Sequence, residues 1–198
     1  MRTMPRAATA TIGAAPPVNL PPGTRLRSLT AHGDRRGWLV EAFRAEWEPD
    51  VAGAQVNVSS SAPGVLRGSH VHGRHTDYFV LASGAATVGL KDLRRASPAF
   101  GRTWLVGLEA QRPEALIVPA GVLHGLYFPV QSLLVSIESE TYDPTEEIRC
   151  RWDDPQLAIP WPFRDPILSD NDRRAGAFAE AMRALEPWQA SFRIPAPG

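Results

Sequence analysis

Between about residue 24 and residue 142, apolar and polar side chains alternate in short bursts. Gln55-Val56-Asn57-Val58-Ser59 alternates one for one. Ala86, Val88 and Leu90 recur at every second position, as do Trp104, Val106 and Leu108, and Leu133, Val135 and Ile137. A period of two puts successive side chains on opposite faces of an extended chain, which predicts half-buried β-strands. Gly and Pro interrupt the bursts at Pro63-Gly64, Ser83-Gly84, Ser97-Pro98, Phe100-Gly101 and Pro119-Ala120-Gly121. Many short strands at this spacing predict an all-β sandwich or barrel.

After Tyr142 the pattern changes. Residues 152 to 169 are rich in Pro, Trp and Asp, which reads as a long ordered wrap over a surface. Arg173 to Glu186 carries Phe178, Met182 and Leu185 at i, i+4 and i+7, predicting one helix packed on the barrel by that face. Asp172 is placed to cap it and Pro187 to end it. Met1 to Pro22 holds small residues and prolines, and lacks the Leu/Val/Ile-rich centre of a secretory signal. The predicted organisation is therefore a flexible N-terminal segment over 1–23, a β-barrel domain over 24–170, and a C-terminal helix and tail over 171–198. An N-terminal arm that orders on a partner subunit is the alternative for the first of these.

Composition narrows the function. A length of 198 residues suits one domain with a real core. The 21 basic and 21 acidic residues cancel, which argues against a general nucleic-acid or anionic-membrane binder. A single cysteine, Cys150, excludes an internal disulfide framework and an all-cysteine zinc site, and fits a reducing compartment such as the cytoplasm. No apolar run approaches the roughly 18 residues that span a bilayer. Histidine and carboxylate chemistry remains open. His70, His72 and His75 fall within six residues, with His32 and His124 outside.

In a strand, His70 and His72 share a face, and His124 comes to them from a different turn. Three histidines and a carboxylate, with Asp77 as the acid, suit a divalent transition metal. His75, at an odd offset from His72, is expected outside. The same residues also read as a polar barrel lining, with Asp77 paired to an arginine. The spacing from Gly64 to Gly84 resembles the first cupin motif, with Asp77 where glutamate is usual. Pro119 to His124 resembles the second, with Phe128 where asparagine is usual. The resemblance implies an all-β double-stranded β-helix, or jelly-roll (cupin) barrel, with a pocket in its mouth.

A longer pattern is more specific. Asp34-Arg35-Arg36-Gly37-Trp38-Leu39-Val40-Glu41, Gln55-Val56-Asn57-Val58-Ser59, and Gly64-Val65-Leu66-Arg67-Gly68-Ser69-His70 occur in order. Asp92-Leu93-Arg94 with Ser97-Pro98 and Phe100-Gly101, and Pro119 to Gly125, follow them. Then come Tyr142-Asp143-Pro144, Arg151-Trp152-Asp153-Asp154-Pro155, Ile159-Pro160-Trp161-Pro162 and Leu168-Ser169-Asp170-Asn171-Asp172. Together these resemble the dTDP-4-dehydrorhamnose 3,5-epimerase family over about residues 24 to 175. The resemblance implies a nucleotide-sugar isomerase that abstracts a proton beside the C4 ketone of a dTDP-4-keto-6-deoxyhexose, without a cofactor. It implies His70 as base and Asp172 as the acid that orients it. It puts Arg36 and Arg67 on the substrate diphosphate, and Glu41, Gln55, Asn57 and His124 on further substrate contacts. Each of these six also has a structural reading, such as Asn57 as a buried hydrogen-bond partner or Arg36 in a surface ion pair. It also implies a homodimer with an N-terminal strand packed across or exchanged over the interface.

The chain departs from the family at three places. The pocket lysine aligns with Asp77, the acid tyrosine aligns near Ser136, and the lysine of the L-S-x-K-D string is Asn171. Lys91, the lone lysine, occupies none of these positions. Two further readings follow. One is a metal-binding cupin in which His70, His72, Asp77 and His124 hold Fe, Mn, Ni or Zn and run a different reaction. The other is a non-catalytic sugar-nucleotide binding protein.

Overall fold

The structure is a computed structural model that describes residues 19–51 and 53–195. The expectations for residues 1–18 therefore lie outside the described residues. Twelve strands form among those described: β1 (Arg25–Ser28), β2 (Ala31–Asp34), β3 (Gly37–Val40), β4 (Gln55–Ser61), β5 (Val65–His72), β6 (Asp77–Ser83), β7 (Ala85–Asp92), β8 (Thr103–Glu109), β9 (Glu114–Val118), β10 (Val122–Phe128), β11 (Ser132–Glu138) and β12 (Glu147–Arg149). Two five-stranded antiparallel sheets, β1-β9-β6-β11-β4 and β12-β5-β10-β7-β8, face each other as the expected jelly roll. The hairpin β2-β3 stands apart from both.

Most of the alternating bursts become strands covered on both faces, while β4 keeps its outer face exposed. Phe79, Leu81, Leu116, Val118 and Leu134 of the first sheet meet Val88, Leu90, Val106, Leu126 and Phe128 of the second in the inner core. The alternate residues of the first sheet turn outward. Tyr78, Val80, Ala115, Ile117 and Ile137 pack under Leu29 and Val51. Val71 and Leu123 pack under the C-terminal wrap with Cys150, Leu157, Ile159, Ala181 and Leu185. Each chain segment that runs outside a sheet is thus held by the apolar face the sheet would otherwise leave wet.

The C-terminal helix differs from the expectation. Asp170–Arg173 forms one turn, Phe178–Leu185 forms a separate helix, and a 3-10 turn at Glu186–Trp188 contains Pro187. Asp172 lies inside the first turn, which Ser169 caps through its hydroxyl. Gly176 falls in the break, where its conformational freedom weakens helix propagation. Phe178, Met182 and Leu185 do pack on the barrel.

Arg94 of the Asp92-Leu93-Arg94 motif and the lone lysine turn out to be structural. Arg94 is fully buried and grips Asp92 with two parallel bonds, Nε to Oδ1 at 2.9 Å and Nη2 to Oδ2 at 2.7 Å. Lys91 is buried with Nζ donating to the Gly101 and Leu157 carbonyls at 3.0 Å each, away from the inner cavity. Cys150 is likewise sealed, and burial pushes its thiol up to about 12. The native protein is therefore expected to resist Ellman's reagent at pH 8, whereas denatured protein releases one equivalent.

Candidate active site

A cavity of about 460 Å³ opens between the sheets, within the range of roughly 300–1,000 Å³ usual for small-molecule pockets. The period-two pattern builds its walls. Asn57 and Ser59 of β4, Leu134, Ser136 and Glu138 of β11, Asp77 and Phe79 of β6, and His70 and His72 of β5 all face inward. Gly68 lets β5 approach β10 closely: a Cβ there would stand 2.8 Å from the Gly125 Cα and 2.9 Å from the His124 carbonyl oxygen. With φ at +115°, it is also a position that other residues rarely adopt. That approach brings His70 opposite His124, with ring centroids 4.6 Å apart.

The histidine cluster is larger than expected. His70 and His72 share the cavity face, as their spacing predicts. His75 also turns inward, against expectation, and is buried beside them with its ring 3.7 Å from that of His72. The reason is Glu146, which the sequence reading missed. Its Oε2 lies 2.9 Å from His75 Nδ1 and 3.4 Å from His72 Nδ1, and its other oxygen accepts from the Arg74 backbone N–H. Asp77 faces the rings from the opposite side. Its Oδ1 is 3.5 Å from His75 Nε2, and its Oδ2 is 3.5 Å from His124 Nε2 and 3.7 Å from His72 Nε2.

These neighbours set the charges. Burial, together with the His124 and His72 rings, holds His70 well below its usual range, so it is neutral and able to accept a proton. Burial also lowers His124, to about 4 despite Asp77. For His75, burial opposes the charged form, but hydrogen bonding to Asp77 and Glu146 outweighs it and raises the ring to about 10. Burial alone would raise Asp77 and Glu146, yet the facing imidazoles hold both carboxyls below their usual ranges. Burial, and then the Asp77 carboxylate, pushes Glu138 upward.

The other expected site residues divide by location. Arg67 lines the cavity, with Nε on the Ser61 hydroxyl at 2.9 Å. Asn57 lines it too, donating to Glu138 Oε1 at 2.7 Å, and Gln55 sits beside it, donating to Asn57 Oδ1 at 3.2 Å. Asp172 reaches the same cavity, but its carboxylate accepts from Arg149 Nη1 at 2.8 Å and Ser169 Oγ at 2.7 Å. His70 Nδ1 has no hydrogen-bond partner among the described residues, so the pair is not joined here. His124 is buried behind Asp77 and Phe79 and is not part of the cavity wall. Arg36 and Glu41 lie away from the cavity, exposed and paired with Asp34 and Arg44.

Neither Tyr78 nor Tyr127 offers its hydroxyl to the cavity. Tyr78 Oη donates to the Ala42 carbonyl at 2.9 Å, and the Tyr127 ring stacks on Phe163. Glu138 and Tyr142, which do line the cavity, had not been singled out. Glu138 was legible in principle, since it lies two residues from Ser136 on the same strand face.

Comparison with known proteins bears on this geometry. The family described as dTDP-4-dehydrorhamnose 3,5-epimerase matches residues 21–180. A Pseudomonas aeruginosa dTDP-4-dehydrorhamnose 3,5-epimerase is 37% identical over 163 residues, covering 75% of this chain and 87% of that relative. A Streptomyces bikiniensis dTDP-4-dehydro-6-deoxyglucose 3-epimerase is 36% identical over 173 residues, covering 80% and 88%. The crystal structure of ChmJ, a 3'-monoepimerase from Streptomyces bikiniensis in complex with dTDP-quinovose, superposes with a TM-score of 0.74 at 33% identity, covering 85% of this chain and 94% of that one. The Mycobacterium tuberculosis rmlC epimerase superposes with a TM-score of 0.74 at 28% identity, covering 84% and 96%.

Proposed function

The chain belongs to the dTDP-4-dehydrorhamnose 3,5-epimerase family, and on that premise we propose that it abstracts a proton beside the C4 ketone of a dTDP-4-keto-6-deoxyhexose, with His70 as the base. The observation that carries this is a neutral, half-buried His70 on the wall of a cavity of the right size. Asp172, on the same wall, is the partner that orients His70 once substrate fills the space between them. Catalytic hydrogen bonds often tighten only in the complex. Arg67 contributes a planar fork for the diphosphate. The family relation favours this reading over a metal enzyme of different chemistry.

Ser136 cannot serve as the tyrosine it replaces. Glu138, two residues along the same face, is the group that supports protonation of the opposite side of the enolate, because its carboxyl is shifted upward by burial. Glu138→Gln is expected to leave solvent exchange at the attacked carbon while slowing inversion at least about tenfold. Equal loss of exchange and inversion would contradict that role. The two are read together by following deuterium uptake and product stereochemistry by NMR.

Arg36 and Glu41 reach a site only if the hairpin β2-β3 enters the cavity of a second copy. The hairpin exposes Trp38 and Leu39, at 58% and 60%, and β4 exposes Val56 and Val58 on its outer face. We place these residues in a homodimer interface, with the reaction run in the cytoplasm. Light scattering is expected to give about 43 kDa, twice the chain mass of 21.6 kDa, and Val58→Arg to give a monomer. A monomeric wild type at micromolar concentration would contradict the interface.

A further inference from the structure

We infer that Arg149 is a further catalytic residue, which donates to the C4 ketone oxygen and holds the enolate that forms there. The inference rests on the reaction proposed above. Its first support is the place of Arg149 in the sheet. Strand β12 pairs antiparallel with β5, and Arg149 stands directly opposite His70. Side chains directly opposite each other in an antiparallel pair share one face, with Cβ atoms about 4.5–5.5 Å apart. The guanidinium therefore rises beside the imidazole, and both line the cavity. A base that takes a proton from the carbon next to a carbonyl works best with a donor already aimed at that carbonyl oxygen. His70 and Arg149 are spaced for those two tasks on one substrate.

The second support is the supply of donors. Other cationic candidates are committed elsewhere. Arg67 is exposed and donates to the Ser61 hydroxyl and the Ser60 carbonyl. Both ring nitrogens of His75 face carboxylates, Nδ1 toward Glu146 and Nε2 toward Asp77. Arg149 is half-buried and is held at both prongs of its fork. Its Nη1 donates to Asp172 Oδ1 at 2.8 Å, and its Nη2 pairs with Glu147. A guanidinium carries five N–H groups. These two contacts leave three of them, so the group is fixed in place and still able to donate. It also stays charged at every working pH.

The layout separates the roles by sheet. His70 and Arg149 belong to one sheet, and Glu138 belongs to the other. The C–H bond beside the ketone breaks, and its proton passes to the His70 ring. The electron pair becomes the C=C bond of the enolate, while the C4 carbonyl pair moves onto oxygen, where Arg149 donates. Return of a proton to that carbon from the Glu138 side restores the ketone. Arg149 neither gains nor loses a proton. Asp172 faces Arg149 throughout and the His70 imidazolium as it forms.

The test is the infrared stretch of the bound C4 ketone, read by difference spectroscopy on dTDP-4-keto-6-deoxyglucose labelled at C4 with carbon-13. The full-length His70→Asn protein is the background, because it holds the sugar without consuming it. The stretch is expected to lie below its position in water, and to lose that shift when Arg149→Met is added. In the otherwise wild-type chain, Arg149→Met is expected to slow deuterium exchange beside the ketone about 10²–10³-fold, the usual cost of removing one oxyanion donor. Affinity for dTDP alone, by calorimetry, is expected to hold. A bound ketone that absorbs where it does in water overturns the inference with Arg149 still in place. So does a lowered stretch that survives Arg149→Met, or survives Arg149→Gln where circular dichroism shows the methionine variant unfolded. A fall in dTDP affinity as large as the fall in rate assigns Arg149 to the nucleotide and overturns it too. The two claims fail separately. A wild type with no exchange but an Arg149-dependent shift removes the epimerase reaction and keeps Arg149 as the ketone's donor. Exchange that survives Arg149→Met keeps the reaction and removes Arg149 from it.

Discussion

Replacing His70 by asparagine is expected to lower the rate of carbon deprotonation by about 10²–10⁴-fold, the range that one positioned base contributes. The ring sits on the cavity wall, faces His124 on the neighbouring strand β10, and is kept neutral by burial, so its lone pair is available at neutral pH. Asparagine fits the space but cannot take the proton. Its Tm should stay near that of the wild type, which separates lost chemistry from lost fold. Nucleotide-sugar affinity, measured by calorimetry, should hold, because Arg67 and Asn57 are untouched. Retention of more than a tenth of the wild-type exchange rate would remove His70 from the role.

Arg94→Ala is expected to destabilise the fold by about 3–5 kcal/mol, the cost of leaving one member of a buried ion pair without its partner. Asp92 would keep only the Ser97 hydroxyl, at 2.6 Å, and the Arg94 backbone N–H, at 3.0 Å. In a chain of this size the Tm should fall by roughly 6–20 °C. The exposed Arg95–Glu186 pair is the control, and Arg95→Ala should change stability by no more than about 1 kcal/mol. The buried pair also sits under the turn that leads into β10, where Leu93 N–H donates to the Gly121 carbonyl. Its loss is therefore expected to reach His124 as well. Equal Tm values for the two variants, by calorimetry or circular dichroism, would show that the buried pair carries no special weight.

Strand placement was legible because the period-two pattern and its physical cause coincide. Trp104, Val106 and Leu108 alternate in sequence and are buried in alternation on β8. The same rule put His70 and His72 on one face. The pattern did not reveal that both sheet faces are covered, because Leu133, Val135 and Ile137 look alike whichever layer they meet. Only the path of residues 29–51 assigns Val135 and Ile137 to the outer one. The helix was read too long because its apolar face was clear, while the break between Arg173 and Phe178 falls at Gly176, whose conformational freedom weakens helix propagation.

His75 and Glu146 were the residues least readable from sequence. His75 lies in the turn between β5 and β6, where the alternation rule ends. That turn packs against Trp188, whose ring lies within 2.5 Å of a Cβ built on Gly73, so it folds close to the barrel and carries His75 inward. Glu146 lies just before β12 in a stretch with no period, 71 residues from the imidazole it binds. Arg36 and Glu41 show the opposite case. Their motif was plain, yet the structure of one chain leaves them outside the cavity, because the hairpin that carries Arg36 and leads to Glu41 pairs with neither sheet.

The central claim is proton abstraction beside a ketone, and its most direct measurement is proton NMR of dTDP-4-keto-6-deoxyglucose incubated with the protein in deuterium oxide. The account predicts that the signal at C3 or C5 disappears as deuterium enters, at a rate that collapses in His70→Asn. Tight binding of the nucleotide sugar with no exchange at either carbon, across 4-keto-6-deoxy sugars of both C3 configurations, would contradict it and leave a binding protein in its place.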